Sequence, residues 1–444
     1  MSNSLAEQLR AIVGSAHVNT DPDVLNSRSV DYTGRYRGQA SALVRPGSAE
    51  EVAAVLQACR EAGAFVTVQG GRTSLVAGTV PENNDVLLST ERLTGISEVD
   101  SSDRRIRVGA GVPLANVHRA AAAAGLLFGV DLTARESATV GGMASTNAGG
   151  LRTVRYGNMR DQVLGLDIVL PDGSLVHRHS RVRSDNTGYD LASLFVGAEG
   201  TLGVTTGLEL RLHPTPARRV TALCEFADLD ALVQTASDFR DDSSIAALEL
   251  IDGRAMGLAA APAPSHWLLL IELAGETDLT DRLAATLDQS VLSGESAVGV
   301  DAVAQQRLWQ VRESLADFVG SFGPPLKFDV SLPLSTIPAF AADSAAVIAQ
   351  HAPEAVPVLF GHIGEGNLHL NVLRCDSDRE DQLYGAIMNL VATHGGNVSS
   401  EHGIGSRKRA YLGMSREAAD IAAMRTVKAA FDPTGYLNPA VLFD

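Results

Sequence analysis

Cysteine is scarce in this chain: Cys59, Cys224 and Cys375 stand far apart among 444 residues, odd in number and never in CxxC spacing. That argues against a disulfide framework and against a cysteine-built metal site. Long apolar runs are missing as well. Stretches such as Trp267–Ile271 and Ala120–Gly129 fall well short of the ~20 residues a membrane-spanning helix needs. The opening MSNSLAEQLRAIVG lacks the basic and apolar blocks of a signal peptide, so the chain reads as cytoplasmic. Peripheral association with the inner face of a membrane stays open. Positive charge is in deficit: 36 basic against 52 acidic residues give −16, which argues against nucleic acid or an anionic membrane as partner.

What is present fits a globular enzyme of two or three domains, with 45% hydrophobic and 20% charged residues. Leu5, Leu9, Ile12 and Val13 recur at helical spacing, and Asp21-Pro22 reads as a turn. Ala42–Val44 reads as a strand, followed by a helix over Val52–Ala62 that Ser48 caps with Glu51 three residues on. The strand Phe65–Val68 then runs into Gln69-Gly70-Gly71-Arg72-Thr73-Ser74, a loop whose glycines let backbone N–H groups approach phosphate oxygens. It matches neither the Walker nor the GxGxxG pattern. Val86–Ser89, Ile96–Val99 and Arg105–Val108 read as short strands, and Leu114–Ala124 as a helix. The segment Asp131–Gly157 is dense in glycine, small residues and hydroxyls, which suits a cofactor lying against backbone more than a buried core.

The succession QGGRTSLVAG, ATVGGMASTNAGG, RYG, VLPDG and FVGAEGTLGV resembles the FAD-binding domain of the vanillyl-alcohol oxidase / p-cresol methylhydroxylase flavoproteins. The resemblance implies two α+β subdomains that hold FAD. It implies that Gly70, Gly71, Arg72, Thr73 and Ser74 hold the pyrophosphate. Thr139, Gly141, Gly142, Ser145 and Asn147 would line the pyrophosphate and isoalloxazine, and Glu199, Gly203 and Val204 the adenine side. Arg72 stands where some relatives carry a flavin-linking histidine, so non-covalent FAD is implied.

After His213-Pro214-Thr215-Pro216 the pattern changes to strands at Val220–Phe226, Ile245–Ile251 and Trp267–Ala274, with helices over Leu229–Arg240 and Leu279–Gln289. The Ala-Pro run at 261–264 reads as a loop. Gln305–Phe318 is helical and carries Arg312; Lys327–Ser331 is a strand. Either cation is an ordinary surface residue or an anchor for a carboxylate. Next comes GHIGEGNLHLN at 361–371, strand-like on both sides of Glu365-Gly366. A hairpin centred there sets His362 opposite His369, with Cβ atoms about 4.5–5.5 Å apart, and Asn371 on the same face. Two such imidazoles are ordinary hairpin residues or two ligands of one metal ion. Glu401-His402, among small residues, offers a third ligand and a base, since an imidazole takes up a proton near neutrality.

LWQVRES, PLKFDVSLP, GHIGEGNLHLNV and SSEHGIG resemble the C-terminal domain of FAD-linked D-2-hydroxyacid dehydrogenases. That resemblance implies His362, His369 and Glu401 as ligands of a divalent ion, zinc first, with manganese, iron or cobalt as alternatives. It implies His402 as catalytic base and substrate contact, Asn371 lining the substrate site, and Arg312 with Lys327 holding the substrate carboxylate. Hydride would pass from C2 to flavin N5, and reduced FAD would be reoxidised by an acceptor the sequence does not name, with a quinone and an electron-transfer protein both open. FDPTGYLNP, with Asn438 among the cofactor contacts, resembles the family's closing segment. One departure is Ala316, where close relatives carry a hydroxyl residue. The expected architecture is α+β: a helical segment at 1–35, a p-cresol methylhydroxylase-type FAD domain at 36–215, an α+β cap with an antiparallel sheet at 216–430, and a tail at 431–444. Two other readings stay open, an oxygen-using flavin oxidase with a vestigial metal site and a non-catalytic flavin subunit of a larger complex.

Overall fold

Helical spacing of apolar residues decides the first element. In the computed structural model, which describes residues 3–179, 182, 185–253, 267–294 and 296–443, the helix Asn3–Val13 buries Leu5, Leu9 and Val13. They pack against Val52, Val55 and Leu56 of the helix Ala49–Glu61. Each such buried side chain contributes about 1.5–3 kcal/mol. The expected cap on the second helix is present: Glu51 N donates to Ser48 Oγ at 3.2 Å, and the Glu51 carboxylate accepts Gly47 N at 2.7 Å. Asp21-Pro22 does more than turn. Asp21 caps a helix over Pro22–Arg28, accepting from Asp23 N at 2.8 Å, and proline is pre-set for that first position.

The chain forms two compact units. Met1–Gly149, Gly157–Pro214 and His402–Asp444 make the first, and Gly150–Tyr156 with Thr215–Glu401 the second. This division differs from the expected one. Residues 1–35 belong to the first unit because the N-terminal helix shares its core, and the chain crosses back at 402 rather than 431.

The first unit holds β1 (Val18–Asn19), β2 (Ala40–Val44), β3 (Val66–Gln69), β4 (Asp85–Ser89), β5 (Arg105–Gly109), β6 (Leu126–Leu127), β7 (Val163–Val169), β8 (Leu175–Arg178), β9 (Val204–Arg211) and β10 (His213–Pro214). One sheet has the order β1-β2-β4-β3, with β2, β4 and β3 parallel; another runs β5-β9-β7-β8 and is antiparallel. The expected strand at Ile96–Val99 reduces to one bridge, Ile96 to Val108, because only Ser97 N and Gly109 N extend backbone bonds there. The tail returns to this unit: Val66 N donates to Tyr436 O, Asn438 N to Val66 O, and Tyr436 Oη to Pro171 O at 2.6 Å.

The second unit is built on one antiparallel sheet. Its strands are β11 (Arg218–Phe226), β12 (Ile245–Asp252), β13 (Trp267–Gly275), β14 (Ser296–Gly299), β15 (Leu326–Ser331), β16 (Val356–His362) and β17 (Asn367–Leu373), in the order β14-β11-β13-β12-β16-β17-β15. β12 is buried at every position, as expected of an apolar strand in mid-sheet. The helix Ala302–Ser321 places Trp309 and Arg312 three residues apart, so both look toward the sheet. The Ala-Pro run at 261–264 lies outside the described residues.

Candidate active site

Register on the second unit's sheet decides which side chains meet. Glu249 on β12 lies opposite His362 on β16, Phe360 opposite His369 on β17, and His369 opposite Asp329 on β15. Opposed residues share a face, so Glu249, His362, His369 and Asp329 form one row across four strands. The expected pairing of His362 with His369 is corrected by two residues. β16 ends at His362, and a short 3₁₀ turn over Ile363–Glu365, closed by Gly366 at φ +70°, takes up the difference. An offset of two keeps the face, so the rings still meet diagonally, perpendicular with centroids 5.3 Å apart. Two glycines are required here: a Cβ at Gly361 would collide with Asn367 O, and one at Gly366 with Leu332 O.

The loop that brings in Glu401 is held by β15. Ser331 and Asn397 exchange backbone bonds, and Asp329 Oδ2 accepts from Ser400 N and Glu401 N at 3.1 Å each. Glu401 Oε1 then lies 3.5 Å from His369 Nε2 and 3.7 Å from His362 Nε2. The other ring nitrogens face carboxylates: His362 Nδ1 is 2.6 Å from Glu249 Oε1, and His369 Nδ1 is 3.8 Å from Asp329 Oδ1. Burial alone would push the His362 pKa down, but Glu249 and Glu401 together raise it well above the usual imidazole range. Without a metal, that keeps a proton on each ring nitrogen, one toward Glu249 and one toward Glu401; a cation in place of the Nε2 proton would find the Nε2 lone pair and the Glu401 carboxylate both turned to it. That donor set fits a divalent cation, with Glu249 as the carboxylate that orients its ligand. Asp329, His369 and Glu401 also keep ligand atoms within 4.8 Å of one another, so Asp329 is a further candidate. His402 follows Glu401 directly and begins the segment that belongs to the first unit.

Arg312 is 6% exposed, and its Nε donates to Glu249 Oε2 at 2.6 Å while the guanidinium lies 4.7 Å over the Phe360 ring. Its terminal nitrogens have no hydrogen-bond partner among the described residues. Lys327 lies opposite Asn371 across β15 and β17. Among the described residues its ammonium has neither a hydrogen bond nor an ion pair, and burial lowers its pKa. Asn371 is buried, with Nδ2 3.3 Å from His369 O. The side chain of Ala316 lies outside the described residues.

The first unit carries the glycine loops. After β3, a Cβ on Gly71 would collide with Ser137 O, and Gly71 N donates to Thr139 Oγ1 at 3.2 Å. Gly141 packs its backbone against Ala110. Gly142, by contrast, has only Thr139 Oγ1 near the place of a Cβ, at 3.3 Å. Arg72 adopts φ +56° and sends Nη1 to Ser27 O at 3.1 Å. The backbone N–H groups of Arg72, Thr73 and Ser74 donate to no atom among the described residues, which is the donor set an FAD pyrophosphate needs. Ser145 Oγ bonds Gly141 O, and Asn147 Oδ1 accepts Arg160 N. Gly203 and Val204 pack where β9 meets β7, with a Cβ on Gly203 falling 2.9 Å from Val169 O. Asn438 is used at both ends, Oδ1 accepting Val68 N and Nδ2 donating to Glu199 O.

Sequence reasoning missed Glu249 and Asp329. The signal was available: each is an acid inside an otherwise apolar strand, IAALELID and LKFDVS, and such a residue is rarely buried without a partner.

Comparison with known proteins shows the family and the fold. Residues 215–442 match the family of FAD linked oxidases, C-terminal domain, and residues 40–178 match the FAD binding domain. A D-2-hydroxyglutarate dehydrogenase of Stutzerimonas stutzeri is 33% identical over 99% of this chain and 99% of its own length. One from Xanthomonas citri pv. viticola is 36% identical over 98% and 96%, and the mitochondrial enzyme of Bos taurus is 34% identical over 98% and 82%. Among solved structures, p-cresol methylhydroxylase with substrate bound gives a TM-score of 0.83 at 17% identity, covering 100% of this chain and 97% of that one. The 4-ethylphenol oxidase from Gulosibacter chungangensis gives 0.81 at 17% identity, covering 99% and 97%. At that identity the structural likeness speaks for the fold, and the expected α+β fold class is borne out.

Proposed function

The chain belongs to the FAD-dependent D-2-hydroxyacid dehydrogenases, and on that footing we propose that it oxidises a D-2-hydroxyacid to the 2-oxoacid with the help of a divalent metal. The observation that carries the metal part is the convergence of His362 Nε2 and His369 Nε2 on Glu401 Oε1, with Glu249 behind the first imidazole. FAD, when bound, supplies a two-electron acceptor for the hydrogen on C2. His362, His369 and Glu401 would hold the cation, which would supply Lewis acidity to the substrate hydroxyl.

The chain's own residues do the rest. His402 accepts the hydroxyl proton on an imidazole nitrogen, so the alcohol loses that proton and the C2 hydride and leaves as a ketone. Arg312, oriented through Nε by Glu249, offers its terminal nitrogens to a carboxylate. Lys327 offers a second, separately placed positive charge. A buried and a half-buried cation on different elements suit a dianion, and relatives carry the name D-2-hydroxyglutarate dehydrogenase. D-2-hydroxyglutarate is therefore the first substrate to try. The loop Gly70–Ser74 would hold FAD through backbone N–H groups without a covalent bond, since it contains no histidine.

The test is anaerobic mixing of the holoenzyme with D-2-hydroxyglutarate, D-lactate, glycolate and longer D-2-hydroxyacids while flavin absorbance is followed. Bleaching by one of them is expected, lost on chelation and in His402→Ala. Bleaching that survives both treatments at the native rate would overturn the metal and base assignments. Bleaching by none would overturn the substrate class.

A further inference from the structure

Glu199 is held by more bonds than a cofactor contact needs, and all of them lie in the first unit. Its backbone stands at φ +50°, a left-handed conformation that a residue with a Cβ rarely adopts. Its N donates to Ser145 O at 2.7 Å, and its O accepts Asn438 Nδ2 at 2.7 Å. The carboxylate is buried and spends both oxygens on backbone donors. Oε1 accepts Ile404 N and Oε2 accepts Gly405 N, each at 2.8 Å. These are the residues two and three after His402. Between them and His402, Gly403 sits at φ +82°, where a Cβ would lie 2.9 Å from the carboxylate carbon. The far side of the loop is fixed as well: Ser406 N donates to Val76 O, and a Cβ on Gly405 would collide with that same oxygen. Burial raises the pKa of the carboxylate above the usual range, and the two backbone donors with the buried Lys408 offset part of that.

We propose that Glu199 is a positioning residue for His402, its carboxylate clamping the backbone N–H groups of Ile404 and Gly405 and so fixing the loop that presents the imidazole. The inference rests on the reading of His402 as base. A planar carboxylate reaches two consecutive N–H groups with one oxygen each, an arrangement that charge-assisted bonds make both short and directional. A glutamine keeps one acceptor and turns an amino group toward the other N–H, so one clamp bond is lost. Because proton transfer is sensitive to small displacements of the base, the cost falls on the chemical step rather than on binding. The same geometry ties the clamp to Ser145 on the helix Val140–Thr146 and to Asn438 of the tail.

The experiment compares Glu199→Gln and Glu199→Asp holoenzymes, each with His402 intact and with His402→Ala. FAD content and anaerobic flavin reduction by D-2-hydroxyglutarate, or by the substrate found above, are measured. Expected are full FAD occupancy, substrate affinity within about threefold of native, and a reduction rate lowered roughly 10- to 100-fold. In the His402→Ala background the Glu199 substitution should add less than about twofold, because a residue that acts through the imidazole has nothing left to position. Loss of FAD, or an equal further drop in that background, would overturn the proposal. If His402→Ala alone leaves reduction at the native rate, the base assignment fails and takes this inference with it. If His402→Ala is slow while both Glu199 variants are fast, only the clamp is wrong. Hydrogen exchange of the native holoenzyme gives a readout that needs no variant. Ile404 and Gly405 amides should exchange slowly, and exchange at the rate of an open loop would also overturn the clamp.

Discussion

Glu249→Gln tests the row of charges on the second unit's sheet most directly. Glu249 is 0% exposed, and each of its oxygens has one partner at 2.6 Å, His362 Nδ1 on one side and Arg312 Nε on the other. A glutamine of the same shape has one acceptor. Whichever way the amide turns, its NH₂ faces a donor, and a buried cation or imidazole N–H loses its partner. Hydrogen bonds to charged groups are worth about 1.5–3 kcal/mol, and removing one member of a buried pair costs about 3–5 kcal/mol. The metal-free protein should therefore lose roughly 3–5 kcal/mol of the ~5–15 kcal/mol typical of a domain, seen as a lower urea midpoint. Metal binding carries a second readout. Without the carboxylate, the Nδ1–H tautomer of His362 is no longer fixed and its Nε2 is less basic. The affinity for zinc should fall about 10- to 100-fold, measured by equilibrium dialysis against a competing chelator. Substrate KM should rise as well, because Arg312 loses the anchor that aims it. A variant with native midpoint and native zinc affinity would refute the whole chain of reasoning, since both outcomes follow from the same two bonds.

Other consequences follow from further titratable groups in both units. Lys327→Met should raise the thermal midpoint, because it removes a half-buried ammonium that has neither a hydrogen bond nor an ion pair among the described residues, while raising KM more than about tenfold; a lower midpoint with unchanged KM would place the lysine outside the substrate's reach. Burial, with repulsion from Glu249 and Glu401, pushes the Glu365 carboxyl up to about 8, only partly offset by His362 and Arg240. A folded pKa above the unfolded one means stability present at low pH and lost as pH climbs from the ordinary carboxylate range through about 8. Glu365→Gln in metal-free protein should accordingly be more stable than native at pH 8–9 and nearly equal to it at pH 5, by urea titration at each pH. Burial also raises Cys224 and pushes Cys59 up to about 12, so a thiol reagent at pH 8 should label Cys375 rapidly and the other two only on unfolding.

Much of this was readable from residue order because the elements that carry it are locally determined. Alternation on either side of Glu365-Gly366 marks both strands of the hairpin, and Ser48 with Glu51 marks a helix start. What the sequence withheld depends on pairing between distant segments. A hairpin's register is set by its turn, and nothing in the string GHIGEGNLHLN says that Ile363–Glu365 winds into a 3₁₀ turn and not a two-residue loop. Asp21 offers a similar lesson, since one carboxylate serves a turn and a helix cap alike.

The acids hidden in apolar strands sharpen the point. Glu272 on β13 faces Ala247 on β12, which puts it on the same side of the sheet as Glu249. It is met by Arg152 at 3.1 Å, Arg219 at 3.5 Å and Trp309 Nε1 at 2.9 Å. Although burial would raise its pKa, those two arginines hold it below the usual carboxylate value. Glu272 is a closed account of charge, a carboxylate compensated inside the protein. Glu249 has one arginine and leans its other oxygen on an imidazole, which in turn faces Glu401. Along a single sheet face the protein thus passes from a carboxylate matched by two arginines to carboxylates matched by one arginine and two histidines. The shortfall of positive charge falls where the imidazole nitrogens converge, and a bound cation would make it up. Replacing the histidines by residues that cannot ligate, as in His369→Leu, should abolish zinc binding yet leave the Glu272 cluster and its share of stability intact. A Glu272→Gln change should do the reverse.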